Sequence, residues 1–397
     1  MESLKSKFNL INENSKVVVA LSGGIDSVVL LHWLYTNYKK NNIKAIHINH
    51  NLSPNSRLWD EFCNNLCKKF NIEYLAFDIY PNKSKNTEAD ARNKRYKIFK
   101  QNLQNGEYLC CAHHQYDQAE TLLLQLFRGA GVAGLAAMPK IRPFAKGYIV
   151  RPFLDITKHQ IEQYAVKHNL NWVEDESNND LRYKRNFIRK KLIPNLLEQW
   201  RGLITNISRS AKHQAETLEL IRYLAKKDIN DNNLLTKNKL LKISPLLKLP
   251  HNRIKNILRY HISLIGFQTP SSTVLNEIIS NILLAKKDAK SLVIWGDNLA
   301  RKYKDKLYIL EKKPKKKNSK LKNKYKDIPG FNISYRKGGE IIKLKNHIHS
   351  KKLKKILQEK NIPPWERDKL EMYFIKDKLV AIEKIGEVEN IKVHCIG

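Results

Sequence analysis

Cysteine and long apolar runs are what this sequence most clearly lacks. Its five cysteines show neither the spacing of a disulfide framework nor a CxxC pair, so the sequence predicts no disulfide scaffold and no zinc site. No apolar stretch approaches the length of a membrane span, and residues 1–16 contain no apolar core of signal-peptide length. We therefore expect a cytoplasmic chain with reduced cysteines, no membrane partner and no resident metal ion.

Acidic residues are also scarce relative to basic ones. The 397 residues include 73 Lys and Arg but only 38 Asp and Glu, which gives a net charge of +35 and a pI near 9.8. The first 200 residues carry 29 basic and 19 acidic side chains (+10), and residues 201–397 carry 44 and 19 (+25). Such a field favours a polyanionic partner, because each Lys or Arg that neutralises a phosphate releases a counterion. A general bias of the proteome towards Lys, Asn and Ile is the alternative explanation.

The most informative stretch is 17–27, where the apolar run Val17–Leu21 leads into Ser22, Gly23, Gly24, Ile25, Asp26 and Ser27. The unbroken run predicts a strand buried on both faces, and a helix follows to Tyr38. Paired glycines allow close approach of an anion, and the free N–H groups of a helix N-terminus supply partial positive charge. The loop therefore predicts a nucleotide-phosphate site, although it lacks the lysine of a Walker loop. An ordinary capped strand-to-helix turn is the alternative.

Strands and helices alternate along the first 170 residues. Further strands are predicted at 43–48, 72–77 and 107–112, and helices at 57–70, 88–103, 115–127 and 158–168. This alternation predicts an α/β fold with a doubly wound parallel sheet, whose ligands bind beyond the carboxyl ends of the strands.

The second half is harder to interpret. A long helix is predicted at 200–225, a mainly helical basic module at 234–310, and an α+β region with a helix near 351–360 beyond residue 327. Residues 312–326 contain nine lysines and few apolar side chains, which is typical of an exposed linker. We expect four segments: an α/β domain at 1–200, a helical basic module at 201–311, the linker at 312–326, and a C-terminal α+β domain at 327–397.

Polar side chains recur at helical spacing after the strand that ends near Ala112. His113, Asp117 and Glu120 are four and three residues apart, which places them on one face of a helix, where the acidic pair is suited to an ammonium or magnesium ion. On the preceding helix, Arg92 and Arg95 lie one turn apart and are suited to phosphate. A solvated polar face is the alternative for the set at 113–120. For the two histidines at 47 and 50, a hydrogen-bonding or loop-lining role is favoured over metal binding.

The order of these motifs along the chain resembles the order found in one protein family. The motifs are Ser-Gly-Gly-x-Asp-Ser at 22–27, His-Ile-Asn-His at 47–50, Glu-Ala-x-Ala-Arg at 88–92, His-His-x-x-Asp-Gln-Ala-Glu-Thr at 113–121, Glu-Asp-x-Ser-Asn at 174–178 and Arg-Asn-x-Ile-Arg at 185–189. The first resembles the PP-loop of the N-type ATP pyrophosphatases, and the set resembles the tRNA(Ile)-lysidine synthases. Pro363–Asp368 is similar to a motif of their C-terminal domain. Tyr116 departs from the family, which usually has an acidic residue there.

The resemblance implies a Rossmann-like PP-loop ATPase domain and a specific reaction. ATP, bound with Mg²⁺, would adenylate the C2 oxygen of the wobble cytidine of tRNA(Ile) with a CAU anticodon. L-lysine would then displace AMP, forming lysidine, so that the tRNA reads AUA and accepts isoleucine.

The resemblance also assigns roles to residues. Residues 22–27 would bind ATP. His113, Asp117 and Glu120 would hold lysine and the reacting centre, with Arg92 and Arg185 as phosphate or tRNA contacts. The alternatives are a PP-loop tRNA thiolase, although no cysteine pair of the expected spacing is present, and a catalytically silent RNA-binding protein.

Overall fold

The computed structural model describes residues 11–51, 53–82, 87–174, 176, 180–286, 291–313, 320–345 and 349–392. The chain divides into two units, Met1–Tyr223 and Leu224–Gly397, which we describe separately. In the described parts of both units, no helix is long and apolar enough to cross a membrane.

The first unit is built on a six-stranded sheet. Its strands are β1 (Val17–Ala20), β2 (Ile43–Asn49), β3 (Glu73–Asp78), β4 (Tyr108–Cys110), β5 (Ile141–Phe144) and β6 (Gly147–Val150). Their spatial order is β3-β2-β1-β4-β6-β5, and every neighbouring pair is parallel except β5 with β6. The three valines of central β1 are at most 1% exposed, because both faces of the sheet are covered.

Helices cover the sheet on both sides. They are α1 (Ile25–Asn37), α2 (Ser56–Phe70), α3 (Thr87–Asn102), α4 (Gln115–Leu126), α5 (Val132–Leu135) and α6 (Lys158–Lys167). One apolar core contains buried residues of α1, α2 and α6, and a second contains residues of α3 such as Phe99. The predicted doubly wound α/β fold is thus confirmed, with helix and strand limits close to those predicted.

The β5–β6 hairpin was not predicted from the sequence. Both strands have only four residues, and Pro143 and Gly147 interrupt the local pattern. Pro143 is tolerated because β5 is an edge strand, where a missing N–H leaves no neighbouring strand unpaired. Arg151 follows β6 directly.

The first unit continues beyond α6 with short helical segments. These are α7 (Lys184–Phe187), a π-helical turn (Ile188–Leu192), α8 (Ile193–Gln199) and the start of α9 (Leu203–Asp231). Leu123 of α4, Ile188 and Ile193 form a small core, onto which Leu203 and Ile207 of α9 pack. The first turns of α9 therefore belong to the apolar packing around α4.

The second unit begins with a helical and sheet-containing region. Its elements are β7 (Leu241–Lys242), α10 (Ile243–Leu246), α11 (His251–Leu264), α12 (Ser272–Ile278), a π-helical turn (Ile279–Leu283), β8 (Leu292–Trp295), β9 (Asn298–Tyr303) and β10 (Lys306–Glu311). The helices predicted for 234–310 are present. The antiparallel sheet β7-β10-β9-β8 is an addition that the sequence analysis did not predict.

The C-terminal region has the predicted mixture of short strands and a helix. Its elements are α13 (Lys320–Tyr325), β11 (Phe331–Tyr335), β12 (Ile341–Ile342), β13 (Lys351–Lys352), α14 (Leu353–Glu359), α15 (Pro364–Arg367), β14 (Glu371–Ile375), β15 (Lys378–Ile382) and β16 (Gly386–Lys392). Within the lysine-rich segment expected to be a linker, residues 314–319 lie outside the described residues, and α13 is helical.

The Pro363–Asp368 motif forms α15 and the turns that flank it. Trp365 is half-buried and packs edge-on against Tyr308, with 5.4 Å between ring centroids. The guanidinium of Arg301 lies 5.2 Å from the centroid of the Trp365 ring. The motif therefore joins the last helix to the β9–β10 sheet through aromatic and cation–π contacts.

Candidate active site at the carboxyl edge of the first sheet

The predicted phosphate loop links β1 to α1. Gly23 adopts a left-handed φ of +87°, and a Cβ there would lie 2.7 Å from Cγ2 of Val173, so the fold requires glycine at this position. Gly24 is the N-cap of α1 with φ of −71° and ψ of 159°, and a Cβ on it would approach Ser22 Oγ at 3.6 Å. The fold does not require glycine at position 24, which leaves ligand access as a reason for its presence.

Two serines hold the loop in shape. The backbone N–H of Ser22 donates to Oγ of Ser27 at 3.1 Å, and Oγ of Ser27 donates to the carbonyl of Gly24 at 2.9 Å. The N–H of Val173 donates to the carbonyl of Gly23 at 3.0 Å, so the segment before residue 174 packs against the loop. Asp175, Ser177 and Asn178 of the acidic motif lie outside the described residues.

His47 supports the loop from the neighbouring strand. Its Nδ1 lies 2.9 Å from the carbonyl oxygen of Leu21 and donates to it. Burial lowers the pKa of His47, so the ring is neutral at pH 7 with its proton on Nδ1. The prediction of a hydrogen-bonding role for this histidine is confirmed.

His114 lies between two carboxylates and was not singled out by the sequence analysis. It is 4% exposed, and its Nδ1 accepts a hydrogen bond from the backbone N–H of Tyr116 at 3.1 Å. Its other ring nitrogen, Nε2, lies 3.6 Å from Oδ1 of Asp26 and 3.6 Å from Oδ2 of Asp117. The sequence signal that could have identified His114 is its position just before a predicted helix, because N-cap side chains point back at the helix start.

Asp26 projects from the first turn of α1. Its Oδ1 is buried and has no hydrogen-bond donor among the described residues, and burial raises the pKa of the carboxyl group while His114 opposes this shift. A buried carboxylate oxygen without a donor is suited to a hard cation, so the residue fits a magnesium ion that accompanies a bound nucleotide. Among the described residues, no cluster of three or more His, Cys, Asp or Glu has the arrangement of a metal site.

A network of acidic and arginine side chains lies behind His114. Glu120 is fully buried, and its carboxylate accepts from Nε of Arg185 at 2.6 Å and from Nε of Arg189 at 2.5 Å. Oδ1 of Asp117 accepts from Arg185 at 2.7 Å and from Arg189 at 3.2 Å, while Oδ2 accepts from the N–H of His114 at 2.9 Å. The acidic pair that was expected to hold a substrate ammonium is thus paired with two guanidinium groups. The sequence analysis did not single out Arg189, although the spacing of 185 and 189 was the available signal.

Tyr116 stands where the family usually has an acidic residue, and its contacts show how this chain accommodates the tyrosine. Its hydroxyl donates to the backbone carbonyl of Arg189 at 3.1 Å. A carboxylate would instead repel that carbonyl oxygen. Tyr116 therefore helps to hold the π-helical turn that carries Arg189 against α4.

Three protein-family models match the chain. They are the PP-loop domain over residues 1–196, the TilS substrate binding domain over residues 241–308 and the TilS substrate C-terminal domain over residues 331–394. The PP-loop match implies an ATP-binding domain.

Curated relatives match over nearly the whole chain. The chain is 38% identical to a tRNA(Ile)-lysidine synthase of Legionella pneumophila (strain Paris), covering 94% of this chain and 91% of that protein. It is 37% identical to the tRNA(Ile)-lysidine synthase of Coxiella burnetii, covering 96% and 91%. The chain belongs to the tRNA(Ile)-lysidine synthase family.

A solved U34-tRNA thiolase from Methanococcus maripaludis has a TM-score of 0.45 and 18% identity over 54% of this chain and 78% of that chain, a likeness too low to carry an argument.

Within this family member, His113 does not share the helical face predicted for it. The helix α4 begins at Gln115 with His114 as its N-cap, so His113 belongs to the loop between β4 and α4. Burial lowers the pKa of His113 to about 3, and the positive charges of Arg151, Arg185 and Arg95 add to this effect against the attraction of Asp117. His113 is therefore neutral at pH 7.

Arg92 lies on α3, apart from the network around Glu120. It is exposed, and its guanidinium lies 5.0 Å from the centroid of the Tyr96 ring. Of the other predicted site residues, Asp26, Asp117, Glu120 and Arg185 come together through His114 and Arg189.

The pKa of His113 predicts a pH dependence of stability. The folded-state pKa of about 3 lies below the ordinary histidine pKa of 6.5, so the unfolded chain binds more protons between these values. Stability should fall as the pH is lowered from about 6.5 towards 3, at up to about 1.4 kcal/mol per pH unit from this group. The variant His113→Gln should lose stability less steeply over this range in urea unfolding at several pH values.

The matched control is His159→Gln, which changes an exposed histidine on α6. It should keep the wild-type pH dependence. If His113→Gln and wild type show the same slope between pH 6.5 and 4, His113 is not the buried neutral histidine that we describe.

Proposed function

We propose that this chain is a ligase that joins L-lysine to C2 of the wobble cytidine of tRNA(Ile) with a CAU anticodon, using ATP with Mg²⁺, in the cytoplasm. The observation that carries the proposal is the meeting of the phosphate loop with the Asp26–His114–Asp117 group in a family member that aligns with lysidine synthases over 94% of its length. The tRNA product would read AUA and accept isoleucine.

The proposed reaction has two displacement steps. The C2 oxygen of cytidine first forms a bond to the α-phosphorus of ATP, and pyrophosphate leaves. The lysine amine then forms a bond to C2, the C2–O bond breaks, AMP leaves with that oxygen, and the amine loses a proton. Adenylation is needed because C2 of a cytosine ring is a poor electrophile without a leaving group.

The N–H groups of the loop and the N-terminus of α1 would hold the ATP phosphates and stabilise the charge that moves onto pyrophosphate. Asp26 would hold magnesium, which supplies Lewis-acid stabilisation of the phosphate oxygens. Asp26 and Asp117 each place a carboxylate oxygen 3.6 Å from Nε2 of His114. A substrate ammonium would be attracted there, and neutral His113 adds no opposing charge.

We propose a positioning role for Glu120 and Arg185, in place of the direct substrate contacts that the family resemblance implied. Glu120 is fully buried, and all its carboxylate contacts in the described part of the chain are with Arg185 and Arg189. Both arginines also bind Asp117. These three side chains would therefore hold the Asp117 carboxylate in a single orientation.

The thiolase alternative finds no support in the described cysteines. Cys63, Cys67, Cys110 and Cys111 are all buried and free. Burial raises the pKa of Cys67 to about 12, and burial also raises the pKa values of the other three thiols. A reactive thiol needs the opposite shift, because the thiolate is the nucleophile.

The proposal is tested by measuring pyrophosphate release and incorporation of labelled lysine into a tRNA(Ile) transcript with a CAU anticodon. The proposed ligase should require ATP, lysine and this tRNA together for incorporation. Tight tRNA binding without pyrophosphate release would instead support the catalytically silent RNA-binding protein.

Replacing Asp117 by asparagine should abolish lysine incorporation. A neutral amide loses the ion pairs with Arg185 and Arg189 and cannot attract an ammonium, so we expect a loss of about 100-fold or more with nearly unchanged tRNA binding. The control Glu162→Gln removes the same charge from an exposed ion pair on α6 and should behave like wild type. Full activity of Asp117→Asn would contradict the assignment of the site.

Replacing Gly24 by valine should block ATP binding without unfolding the protein. Valine readily adopts the extended backbone of this N-cap, but its branched side chain would occupy the space that the phosphates need. The matched control is Gly131→Val, at another extended N-cap with no atom within 4 Å of an added Cβ. Calorimetry should detect ATP binding by the control but not by Gly24→Val, and circular dichroism should show both folded.

We propose that residues 1–200 carry the chemistry, that 201–311 and 327–397 bind tRNA, and that 312–326 link them. Because α9 packs on the core around α4, a test fragment should end at Tyr223 rather than at residue 200. This fragment should bind tRNA more weakly and with a shallower dependence on salt. Each lost phosphate contact lowers the slope of log affinity against log salt by about 0.7 to 0.9.

Filter-binding titrations at several salt concentrations would measure this difference, with folding checked by circular dichroism. Equal slopes and affinities for the fragment and the full chain would mean that the basic excess beyond residue 201 only maintains solubility.

A further inference from the structure

Three arginines on α3 and β5 of the first unit lie against one aromatic pair, and a fourth follows β6 close by. Tyr96 of α3 and Phe144 of β5 meet edge to face, with 5.7 Å between ring centroids. The guanidinium groups of Arg92 and Arg95 lie 5.0 Å and 5.9 Å from the centroid of Tyr96, and that of Arg142 lies 5.5 Å from the centroid of Phe144. Arg151 completes the group, which we call the arginine track, immediately after β6.

The arginine track lacks compensating negative charge. In the described part of the chain, no ion pair includes any of its four members, whereas the neighbouring Arg185 and Arg189 are matched by Asp117 and Glu120. Arg151 is only 3% exposed, and although it donates to the carbonyl of Pro139 at 2.8 Å, its Nε is buried without an acceptor. Grouped cations without a carboxylate partner are costly, most of all where one is buried, so a protein that retains four of them at one place is suited to an anionic ligand.

The titration behaviour of the group agrees with this geometry. Burial lowers the pKa of Arg95 and of Arg151, against opposing contributions from Tyr96 and Cys111. The charge of Arg92 adds to the lowering at Arg95, and the charge of Arg142 adds to it at Arg151. Arg95 and Arg151 also contribute to the lowered pKa of His113. The positive charge of the arginine track therefore extends to the loop that enters the candidate active site.

The exposure of the arginines is graded. Arg92 is exposed, Arg95 and Arg142 are half-buried, and Arg151 is buried. In the sheet, β4 separates β6 from β1, so the track and the phosphate loop lie on opposite sides of β4. The loop after β1 is already the candidate site for a compact triphosphate. A row of cations that leads from the surface towards His113 fits successive phosphates of a strand.

We propose that the arginine track binds the phosphodiester backbone of the RNA strand that enters the candidate active site, a proposal that rests on tRNA being the substrate. Planar guanidinium groups hold phosphate oxygens through paired N–H bonds, and the arginines supply charge for more than one phosphate. Arg151, at the buried end, would hold the phosphate nearest the reacting base. The track adds an RNA-backbone contact to the catalytic unit itself, separate from the basic second half.

The test uses the full-length variants Arg142→Gln and Arg95→Gln, with Lys146→Gln as matched control. Lys146 is exposed at the turn of the same hairpin, so its variant loses the same charge at the opposite end of β5 and β6. Filter binding of tRNA should show affinity reduced by about tenfold for each arginine variant and a salt slope shallower by about 0.7 to 0.9. Lys146→Gln should match wild type in both respects.

Calorimetric measurement of ATP binding distinguishes the two possible sources of the bound phosphate, the RNA backbone and the nucleotide. Unchanged tRNA binding with weakened ATP or inorganic pyrophosphate binding in Arg142→Gln would overturn the proposal, because the phosphate would then belong to the nucleotide. Equal effects of Lys146→Gln and Arg142→Gln on tRNA affinity would also overturn it, because the loss of any positive charge from the hairpin would then weaken binding to the same extent. Arg142→Lys keeps the charge but not the paired N–H bonds, so its affinity for tRNA should lie between those of Arg142→Gln and wild type. If Arg142→Lys binds tRNA as weakly as Arg142→Gln and both variants melt below wild type, Arg142 has a packing role and the proposal is overturned.

These measurements remain interpretable if the proposed function fails. Binding of tRNA is read without turnover, so absence of lysine incorporation by the wild-type protein would refute the ligase and leave the binding comparison intact. Conversely, an active wild-type enzyme whose arginine variants bind tRNA normally would refute only the arginine track.

Discussion

The arrangement of the candidate active site depends on one buried carboxylate. Glu120 is completely excluded from solvent, and a charge in that position is tolerable only when opposite charges and hydrogen bonds surround it. Arg185 and Arg189 supply both from a segment 65 and 69 residues further along the chain. The same two arginines bind Asp117, whose second oxygen accepts from the backbone of His114. The orientation of Asp117 beside His114 is thus coupled to the two arginines that neutralise Glu120.

The π-helical turn at Ile188–Leu192 is part of this arrangement. A π-turn widens the helix locally, and such turns occur frequently at functional sites. Here it carries Arg189, whose carbonyl accepts a hydrogen bond from Tyr116 and whose guanidinium reaches Glu120. The apolar contacts of Ile188 and Ile193 with Leu123 hold the turn against α4. Packing and ion pairing therefore act on the same pair of elements.

Two candidate anion sites lie at the same edge of the sheet. The loop after β1 relies on backbone N–H groups and the start of a helix, which cradle phosphate at fixed positions without a lysine. The arginine track relies on side chains stacked on Tyr96 and Phe144, which fix the guanidinium planes while leaving their N–H groups available. The first arrangement is suited to a nucleotide that is turned over, and the second to a polymer backbone that is held while a base reacts.

The sequence by itself determined the elements whose signals are local. Val17–Leu21 followed by two glycines specifies a buried strand and a phosphate loop, because apolar runs and Cβ-free positions act on their immediate neighbours. Only the tertiary structure decided which polar groups meet. Helical spacing placed His113 with Asp117 and Glu120, but α4 begins after His114, so His114 rather than His113 caps the helix beside Asp117. The partners of Glu120 and the convergence of Arg92 and Arg95 with Arg142 and Arg151 involve residues far apart in sequence. Side-chain charges interact through space, and the parallel sheet brings their strand ends to one edge only after the chain has folded.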